Sequence, residues 1–73
     1  MERDEERMVA IWRDVFRAGD IGLDTDLVET GADSLNAMTL ISRISAEFGV
    51  EVEMWDLFDA ATPRGALHLV QNA

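Results

Sequence analysis

Apolar residues recur at helical spacing near the start of the chain, with polar residues between them. The spacing follows i, i+3, i+4, i+7 and i+8, which is typical of one buried helix face. The pattern predicts a first helix over Glu2 to Ala18, with Trp12 in the core rather than in a ligand site. Gly19 follows, where a left-handed glycine commonly ends a helix. The members of the stripe are Met8, Ile11, Trp12, Val15 and Phe16.

A second helical stripe begins after Ser34. Asp33 and Ser34 are both residue types that cap helix N-termini, and Gly49 supplies a stop signal. The pattern therefore predicts a second helix over Ser34 to Phe48. Its apolar face comprises Ala37, Leu40, Ile41, Ile44 and Phe48, flanked by Leu35 and Met38.

The stretch between these two helices, residues 19–33, keeps neither a helical nor a strand period. It contains three glycines, five acidic residues and only isolated apolar residues. We expect a long loop, and loops of this length in compact domains are often functional. The apolar residues that would hold it to the body of the protein are Ile21, Leu23, Leu27 and Val28.

The segment after the second helix predicts a short helix. Val50 to Met54 alternates apolar and acidic residues, but it is too short and has no second strand to pair with, so no strand is predicted. The letters "MWDLFDA" fit a turn or two of helix, with Trp55 and Phe58 spaced i, i+3. Trp55 suits the core.

A start signal for the last helix stands at Thr62 and Pro63. Thr62 is an N-cap type, and proline is favoured at the first helical position. The last helix is predicted over Pro63 to Gln71, slightly weakened by Gly65.

These elements predict an all-α protein: a small four-helix bundle of three longer helices and one short helix, with a long first loop. At 73 residues the chain is one domain, residues 1–73. It has no cysteine and one histidine, which excludes a disulfide and the usual cysteine–histidine zinc site. The fold must therefore rest on packed apolar faces.

The formal net charge is -9, from fifteen acidic residues and six arginines. This balance disfavours nucleic acid as a partner and favours encounter with basic protein surfaces, although solubility is the more common reason for such a charge. No apolar run approaches the roughly 20 residues of a membrane span, and "MERDEER" lacks the apolar core of a secretory signal. We expect a soluble, cytoplasmic protein with no nucleic acid or membrane partner.

The chain offers few groups for catalysis or metal binding. A Ser34–His68 dyad is disfavoured, because a lone histidine between two leucines on a helix is more often a surface or packing residue. Calcium loops that start at Asp20 or Asp24 have the wrong residues at the ligand positions, so solvated acids are the better interpretation. Neither an active site nor a metal centre is predicted.

Ser34 itself has two interpretations. Asp-Ser before an apolar run is usually only a helix cap. The start of a helix also favours an anion, through its free N–H groups and its dipole. A serine there, next to a flexible loop, is well placed to receive a phosphate-linked group from a modifying enzyme.

The residues around Ser34 resemble the phosphopantetheinyl carrier proteins. "GADSL" at 31–35 is similar to the family's G-x-D-S-L signature, whose serine receives 4′-phosphopantetheine from coenzyme A. "DTDLVETGADSLNAMTLISRISAEFGVEV" resembles the family's loop and second helix, and "LFDAATPRGAL" resembles the segment that enters its last helix. The resemblance covers nearly all of the chain. It implies that Ser34 carries the arm and that acyl groups ride on the thiol of the arm as thioesters.

Finer signs within the family favour the peptidyl carriers of nonribosomal peptide synthesis, a branch of secondary metabolism. "AMTLISRI" and "EFGVEV" are similar to their second helix, and Asn36 and Arg43 make this helix less acidic than in fatty acid carriers. Ala32, in place of a second glycine, is more like the acyl carriers. An acyl carrier of polyketide or fatty acid synthesis is therefore one alternative. A cofactor-free acidic helical adaptor, with Ser34 only a cap, is the other.

The resemblance also implies partners and a docking surface. A non-catalytic, monomeric carrier is served by a phosphopantetheinyl transferase, an adenylation or other acyl-loading enzyme, condensation or tailoring enzymes and a thioesterase. A chain that begins at Met1 fits either a free-standing carrier or a domain cut from a synthetase. From the residues alone, Leu35 and Met38 are equally compatible with a place in the core, and Trp55 suits the core better than the docking surface. The implied docking residues are Asp33, Leu35, Asn36, Met38, Thr39 and Trp55.

Overall fold

A computed structural model of the protein describes residues 3–72. It contains helices α1 (Arg3–Phe16), α2 (Ser34–Phe48), α3 (Met54–Ala60) and α4 (Pro63–Gln71). A single 3-10 turn, Val28–Thr30, lies in the loop between α1 and α2. Helix α1 packs against α2 and α4, and α3 packs against the same two helices. The predicted all-α bundle of three longer helices and one short helix is therefore confirmed.

Helix α2 begins and ends, and helix α4 begins, where the capping signals placed them. The Asp33 carboxylate accepts a hydrogen bond from the Asn36 N–H at 2.8 Å, and Gly49 ends α2 with a φ of +69°. The Thr62 hydroxyl accepts one from the Gly65 N–H at 3.0 Å, and Pro63 occupies the first turn. Side-chain caps satisfy N–H groups that have no partner inside the helix, so they define the helix starts.

Helix α1 ends two residues earlier than predicted, and its start at Glu2 lies outside the described residues. Arg17, not Gly19, takes the left-handed conformation, with a φ of +53°. The Ala18 N–H then donates to the Arg13 carbonyl at 3.1 Å, the bond of a Schellman-type ending. Ala18 also packs against the core, which explains why the turn closes before the glycine.

The core is formed by the predicted helix stripes. Trp12 is completely buried and packs at a tilt on Phe16, with 6.1 Å between the ring centroids. Burial of apolar surface is the main favourable term for a domain without disulfides or metals. The buried apolar residues that form one cluster are Met8, Ile11, Trp12, Ile21, Leu27, Ala37, Leu40, Ile44, Leu57, Ala66 and Leu67.

Helix α3 presents a different face to the core than we predicted. Leu57 is fully buried and Met54, one turn earlier, packs beside it. Trp55 is 71% exposed and Phe58 is 38% exposed. A helix of seven residues buries only one stripe, and the Met54–Leu57 pair takes that place. The prediction that Trp55 belongs to the core is wrong.

The loop between α1 and α2 is held down by some of its predicted anchors. Ile21 and Leu27 are buried and Leu23 is half-buried, but Val28 is 73% exposed. Leu27 inserts its side chain into the core, and its N–H donates to the Ala61 carbonyl at 2.6 Å. The 3-10 turn that follows directs Val28 away from the core, so the prediction that Val28 anchors the loop is wrong.

Over residues 3–72 no helix combines the length and the apolar character needed to cross a bilayer. The same residues contain no group of three or more histidine, aspartate or glutamate side chains placed to hold a metal ion.

Candidate cofactor attachment site

Ser34 is the first residue of α2, and its side chain is exposed. The preceding Asp33 supplies the cap, through its carboxylate bond to the Asn36 N–H. The Ser34 hydroxyl forms no hydrogen bond with any of the residues that the structure describes. Asp33, and not Ser34, therefore caps α2. The Ser34 hydroxyl remains exposed to solvent.

The backbone before Ser34 turns it outward. Gly31 closes the 3-10 turn with a φ of +75°, and its N–H donates to the Val28 carbonyl at 3.2 Å. Ala32 then packs against the core, and Asp33 is extended, with a φ of -109°. Because Ala32 is held inside, the next two residues emerge at the surface. A left-handed φ at position 31 favours glycine, which has no Cβ to clash.

Two α2 residues in the docking prediction are exposed apolar side chains. Leu35 is 72% exposed and Met38 is 59% exposed, whereas Ala37 and Leu40 face the core. Asp33 and Thr39 are also exposed, Asn36 is half-buried, and the Thr39 hydroxyl donates back to the Leu35 carbonyl at 3.0 Å. Leu35 and Met38 lie one turn apart beside Ser34 and therefore form an apolar step at the start of α2.

Two further exposed apolar residues were missed by the sequence reasoning. Val28 lies on the turn that precedes the site, and Phe58 is one turn from the exposed Trp55 on α3. The i, i+3 spacing of Trp55 and Phe58 indicated that they share one helix face. It did not indicate whether that face is buried or exposed. No sequence signal marked Val28, because an isolated valine in a loop is compatible with either position.

The segments that carry these residues are acidic. No basic residue occurs at positions 28–40 or 50–60, and none of their acids forms an ion pair within residues 3–72. The arginines that form ion pairs lie elsewhere and neutralise other acids: Arg7, Arg43 and Arg64. An exposed apolar surface with unpaired acids fits a partner surface that carries positive charge. The acids are Glu29, Asp33, Glu51, Glu53, Asp56 and Asp59.

The residues around Ser34 fit a phosphate-linked arm. The hydroxyl is exposed and unbonded, and the start of a helix is a favourable place for an anion. The Asp33 carboxylate next to it opposes a second negative charge, but it is itself exposed and already bonded to the Asn36 N–H. The arm supplies a thiol, and the chain has no cysteine that competes with it.

Comparison with known proteins identifies the family. The family described as "Phosphopantetheine attachment site" matches residues 6–70, which is most of the chain. The chain therefore belongs to this family and is a carrier domain whose prosthetic group is 4′-phosphopantetheine.

The curated relatives are long synthases of which this chain matches a small part. It is 41% identical over 69 residues to bacitracin synthase 3 of Bacillus licheniformis, which is 94% of this chain and 1% of that protein. It is 40% identical over 58 residues to surfactin synthase subunit 1 of Bacillus subtilis strain 168, which is 80% of this chain and 2% of that protein. The chain thus corresponds to one carrier domain within such proteins.

Solved structures agree with the fold. A peptidyl carrier protein, solved in complex with the phosphopantetheine transferase Sfp and coenzyme A, superimposes with a TM-score of 0.92 at 23% identity, covering 100% of this chain and 95% of that one. The extended docking domain complex of the Pax nonribosomal synthetase superimposes with a TM-score of 0.89 at 27% identity, covering 100% of this chain and 70% of that one. The predicted carrier family, its cofactor and the likeness to nonribosomal peptidyl carriers are confirmed.

Proposed function

We propose that Ser34 is the attachment point of the phosphopantetheine arm and that this domain carries aminoacyl or peptidyl thioesters in nonribosomal peptide synthesis. The observation that supports this most directly is that Asp33, not Ser34, caps the start of α2. Asp33 caps the helix, so the Ser34 hydroxyl is exposed and has no hydrogen-bonded role. The domain is then a substrate of other enzymes and not itself a catalyst.

The chain's own residues hold and present the arm. The start of α2 stabilises the negative charge of the phosphodiester. The loop before it and the packed Ala32 keep the attachment point at the surface. A flexible arm on a compact body keeps its cargo at high effective concentration near successive enzymes. Enzymes that load and unload the arm would select the cargo, since no side chain of the domain needs to recognise it.

We further propose that partner enzymes dock on the surface beside Ser34. Leu35, Met38 and Trp55 supply exposed apolar contacts, and Asp33, Asn36 and Thr39 supply polar ones. The partners are a phosphopantetheinyl transferase, an adenylation or other acyl-loading enzyme, condensation or tailoring enzymes and a thioesterase. Because coenzyme A donates the arm, we place this work in the cytoplasm. We also propose that the carrier is a monomer.

Intact mass tests the attachment. The purified domain is incubated with coenzyme A and a broad-specificity phosphopantetheinyl transferase, and one phosphopantetheine is expected per chain. Ser34→Ala should receive none. Ser42→Ala removes another exposed serine of α2 and is the matched control, which should be modified like the unaltered domain. An unmodified wild-type domain beside a carrier that the transferase does modify would refute the proposal.

Loading of the arm separates the peptidyl proposal from the acyl alternative. The modified domain is offered to an amino-acid adenylation enzyme and, separately, to a malonyl or fatty acyl transferase. We expect an aminoacyl thioester, from which hydroxylamine releases the aminoacyl group. Loading by malonyl or fatty acyl transfer alone would assign the domain to polyketide or fatty acid synthesis instead.

A further inference from the structure

Arg64 of α4 forms hydrogen bonds to the loop that leads to Ser34. The Arg64 N–H donates to the Leu23 carbonyl at 2.9 Å. Its guanidinium forms two hydrogen bonds to the next residue, with 2.9 Å from Nε to Asp24 Oδ1 and 3.2 Å from Nη2 to Oδ2. Two consecutive loop residues are therefore held at three points by a single side chain and its backbone. We call the Asp24–Arg64 pair the loop latch.

The position of Arg64 at the start of α4 makes the latch possible. The first N–H groups of a helix have no partner inside it. Thr62 takes the Gly65 N–H, Pro63 has none, and the Arg64 N–H is left for the Leu23 carbonyl. The Asp24 carboxylate also lies near the positive end of the α4 dipole, which favours its charge.

The latch belongs to a wider contact between the loop and the α3–α4 junction. Three residues beyond Asp24, the Leu27 N–H donates to the carbonyl of Ala61, the residue that ends α3. The exposed Val28 comes directly after Leu27, on the turn that leads to Ser34. The junction therefore determines where the Val28 turn lies relative to α3, which carries the exposed Trp55.

We propose that Asp24 and Arg64 are positioning residues that hold the Val28 turn and the start of α2 in one arrangement with α3 for the enzymes that act on Ser34. This inference rests on the proposed function. Without the latch, the loop samples more than one position. Fewer molecules then have the arrangement that a partner binds. A smaller competent population weakens apparent binding without altering the chemistry of bound molecules.

The chain contains a matched control for this pair. Arg43 Nη1 lies 2.6 Å from Asp14 Oδ2 and joins α2 to α1 away from the loop. The Asp24 and Arg64 side chains are 74% and 48% exposed, and those of Asp14 and Arg43 are 67% and 47% exposed. Both are exposed arginine–aspartate pairs, and only Asp24–Arg64 touches the loop. That pair has two hydrogen bonds where Asp14–Arg43 has one, and Arg64 Nη1 also lies 3.9 Å from Glu5 Oε2. Asp24→Asn and Asp14→Asn, which leave Glu5 unchanged, are therefore the most closely matched variants.

Transferase kinetics test the latch. For Asp24→Asn, Arg64→Gln and the double variant, the KM for the carrier is expected to rise about threefold, which is the scale of an exposed ion pair. The double variant should be no worse than either single one, and kcat should not change because the Ser34 hydroxyl is intact. Asp14→Asn, Arg43→Gln and their double variant should keep the wild-type KM. Asp24→Glu, which retains the charge, should recover part of the loss.

Hydrogen exchange of the Leu27 amide gives a second readout that does not depend on modification. Loss of the latch should speed its exchange, and the Asp14 and Arg43 variants should not. Equal KM values for latch and control variants would overturn the positioning role, as would a latch variant whose Leu27 amide exchanges at the wild-type rate. A wild-type domain that the transferase leaves unmodified would refute the proposed function, and the Leu27 exchange rates would still decide whether the latch holds the loop.

Discussion

At the scale of single residues, the sequence left two roles open for Ser34, a helix cap and an attachment point. In the structure the neighbouring Asp33 is the cap. The Asp33 carboxylate accepts from the Asn36 N–H, and the Ser34 hydroxyl forms no hydrogen bond among the described residues. The helix therefore does not depend on the hydroxyl that we propose as the attachment point. A modifying enzyme can use Ser34 without uncapping α2.

Alanine variants of these two residues should differ in stability. Ser34→Ala should change the free energy of unfolding by less than about 0.5 kcal/mol, as for an exposed residue whose side chain forms no hydrogen bond. Asp33→Ala should lose about 1 kcal/mol because it removes the cap. Urea unfolding followed by far-UV circular dichroism measures both. Asp33→Asn is the control and should stay close to wild type, since asparagine also caps. A larger loss for Ser34→Ala than for Asp33→Ala would show that the cap is misassigned.

The titration of Asp24 reports the loop latch. The hydrogen bond and charge of Arg64 lower the pKa of the Asp24 carboxyl below its ordinary value of 3.8, although slight desolvation acts in the opposite direction. A lowered pKa in the folded state means that the stabilisation is present above pH 3.8 and disappears as the pH falls through the lower value. Carbon-13 NMR of the carboxyl should show a midpoint below 3.8. The midpoint should move up in Arg64→Gln, and an unchanged midpoint there would remove Arg64 as the cause.

A left-handed alanine ends α3, and glycine should fit this position better. Ala61 has a φ of +68°, a conformation that costs residues with a Cβ roughly 1 kcal/mol or more. Ala61→Gly should therefore stabilise the domain by up to about 1 kcal/mol, measured by thermal or urea unfolding. The same substitution at exposed Ala10, inside α1, should destabilise it by about 1 kcal/mol. Changes of stability in the same direction for both variants would contradict a strained backbone at Ala61.

At the scale of helices, the sequence predicted best where a local signal determined the outcome. The bounds of α2 and the start of α4 follow from their caps, proline and glycine, and the bounds of both helices are as predicted. The end of α1 and the buried face of α3 were mispredicted because tertiary packing decides them. Ala18 packs against the core, so α1 ends before Gly19 is reached. In α3, Leu57 is buried where we expected Trp55. In a helix of seven residues, two stripes are equally compatible with the spacing, and only the neighbouring helices choose between them.

Gly65 shows a second effect that sequence alone hides. It looks like a weak helix position, yet a Cβ built there would lie 2.6 Å from the Ala60 carbonyl oxygen. The missing side chain lets α4 approach the end of α3 closely.

Substitution of Gly65 by alanine should accordingly destabilise the domain, although alanine is the better helix former by about 1 kcal/mol. A backbone atom cannot move aside as a side chain can, so we expect a net loss of about 1–3 kcal/mol, typical of overpacking. Urea unfolding measures it. A gain in stability would mean that the two helices separate at little cost.

At the scale of the whole molecule, the ion pairs lie outside the two segments that carry the exposed apolar residues. Arg7 joins α1 to α2 through Glu47 and lies 4.5 Å from the Phe48 ring centroid, and Arg43 adds the pair with Asp14. Residues 28–40 and 50–60 have no such pairs within the described part of the chain and expose apolar side chains, and the Asp24–Arg64 pair lies at the base of the loop before them. Family and bundle were predictable from sequence because the motif and the stripes are local. The exposed face was not, since Val28 and Phe58 are placed by contacts distant in sequence.

Tandem mass spectrometry of the modified domain tests most directly whether Ser34 carries the arm. The chain has three serines, Ser34, Ser42 and Ser45, all on α2. After reaction with coenzyme A and a broad-specificity transferase, fragmentation should place one phosphopantetheine on Ser34 in every modified chain. Its presence on Ser42 or Ser45, or its persistence in Ser34→Ala, would contradict the account.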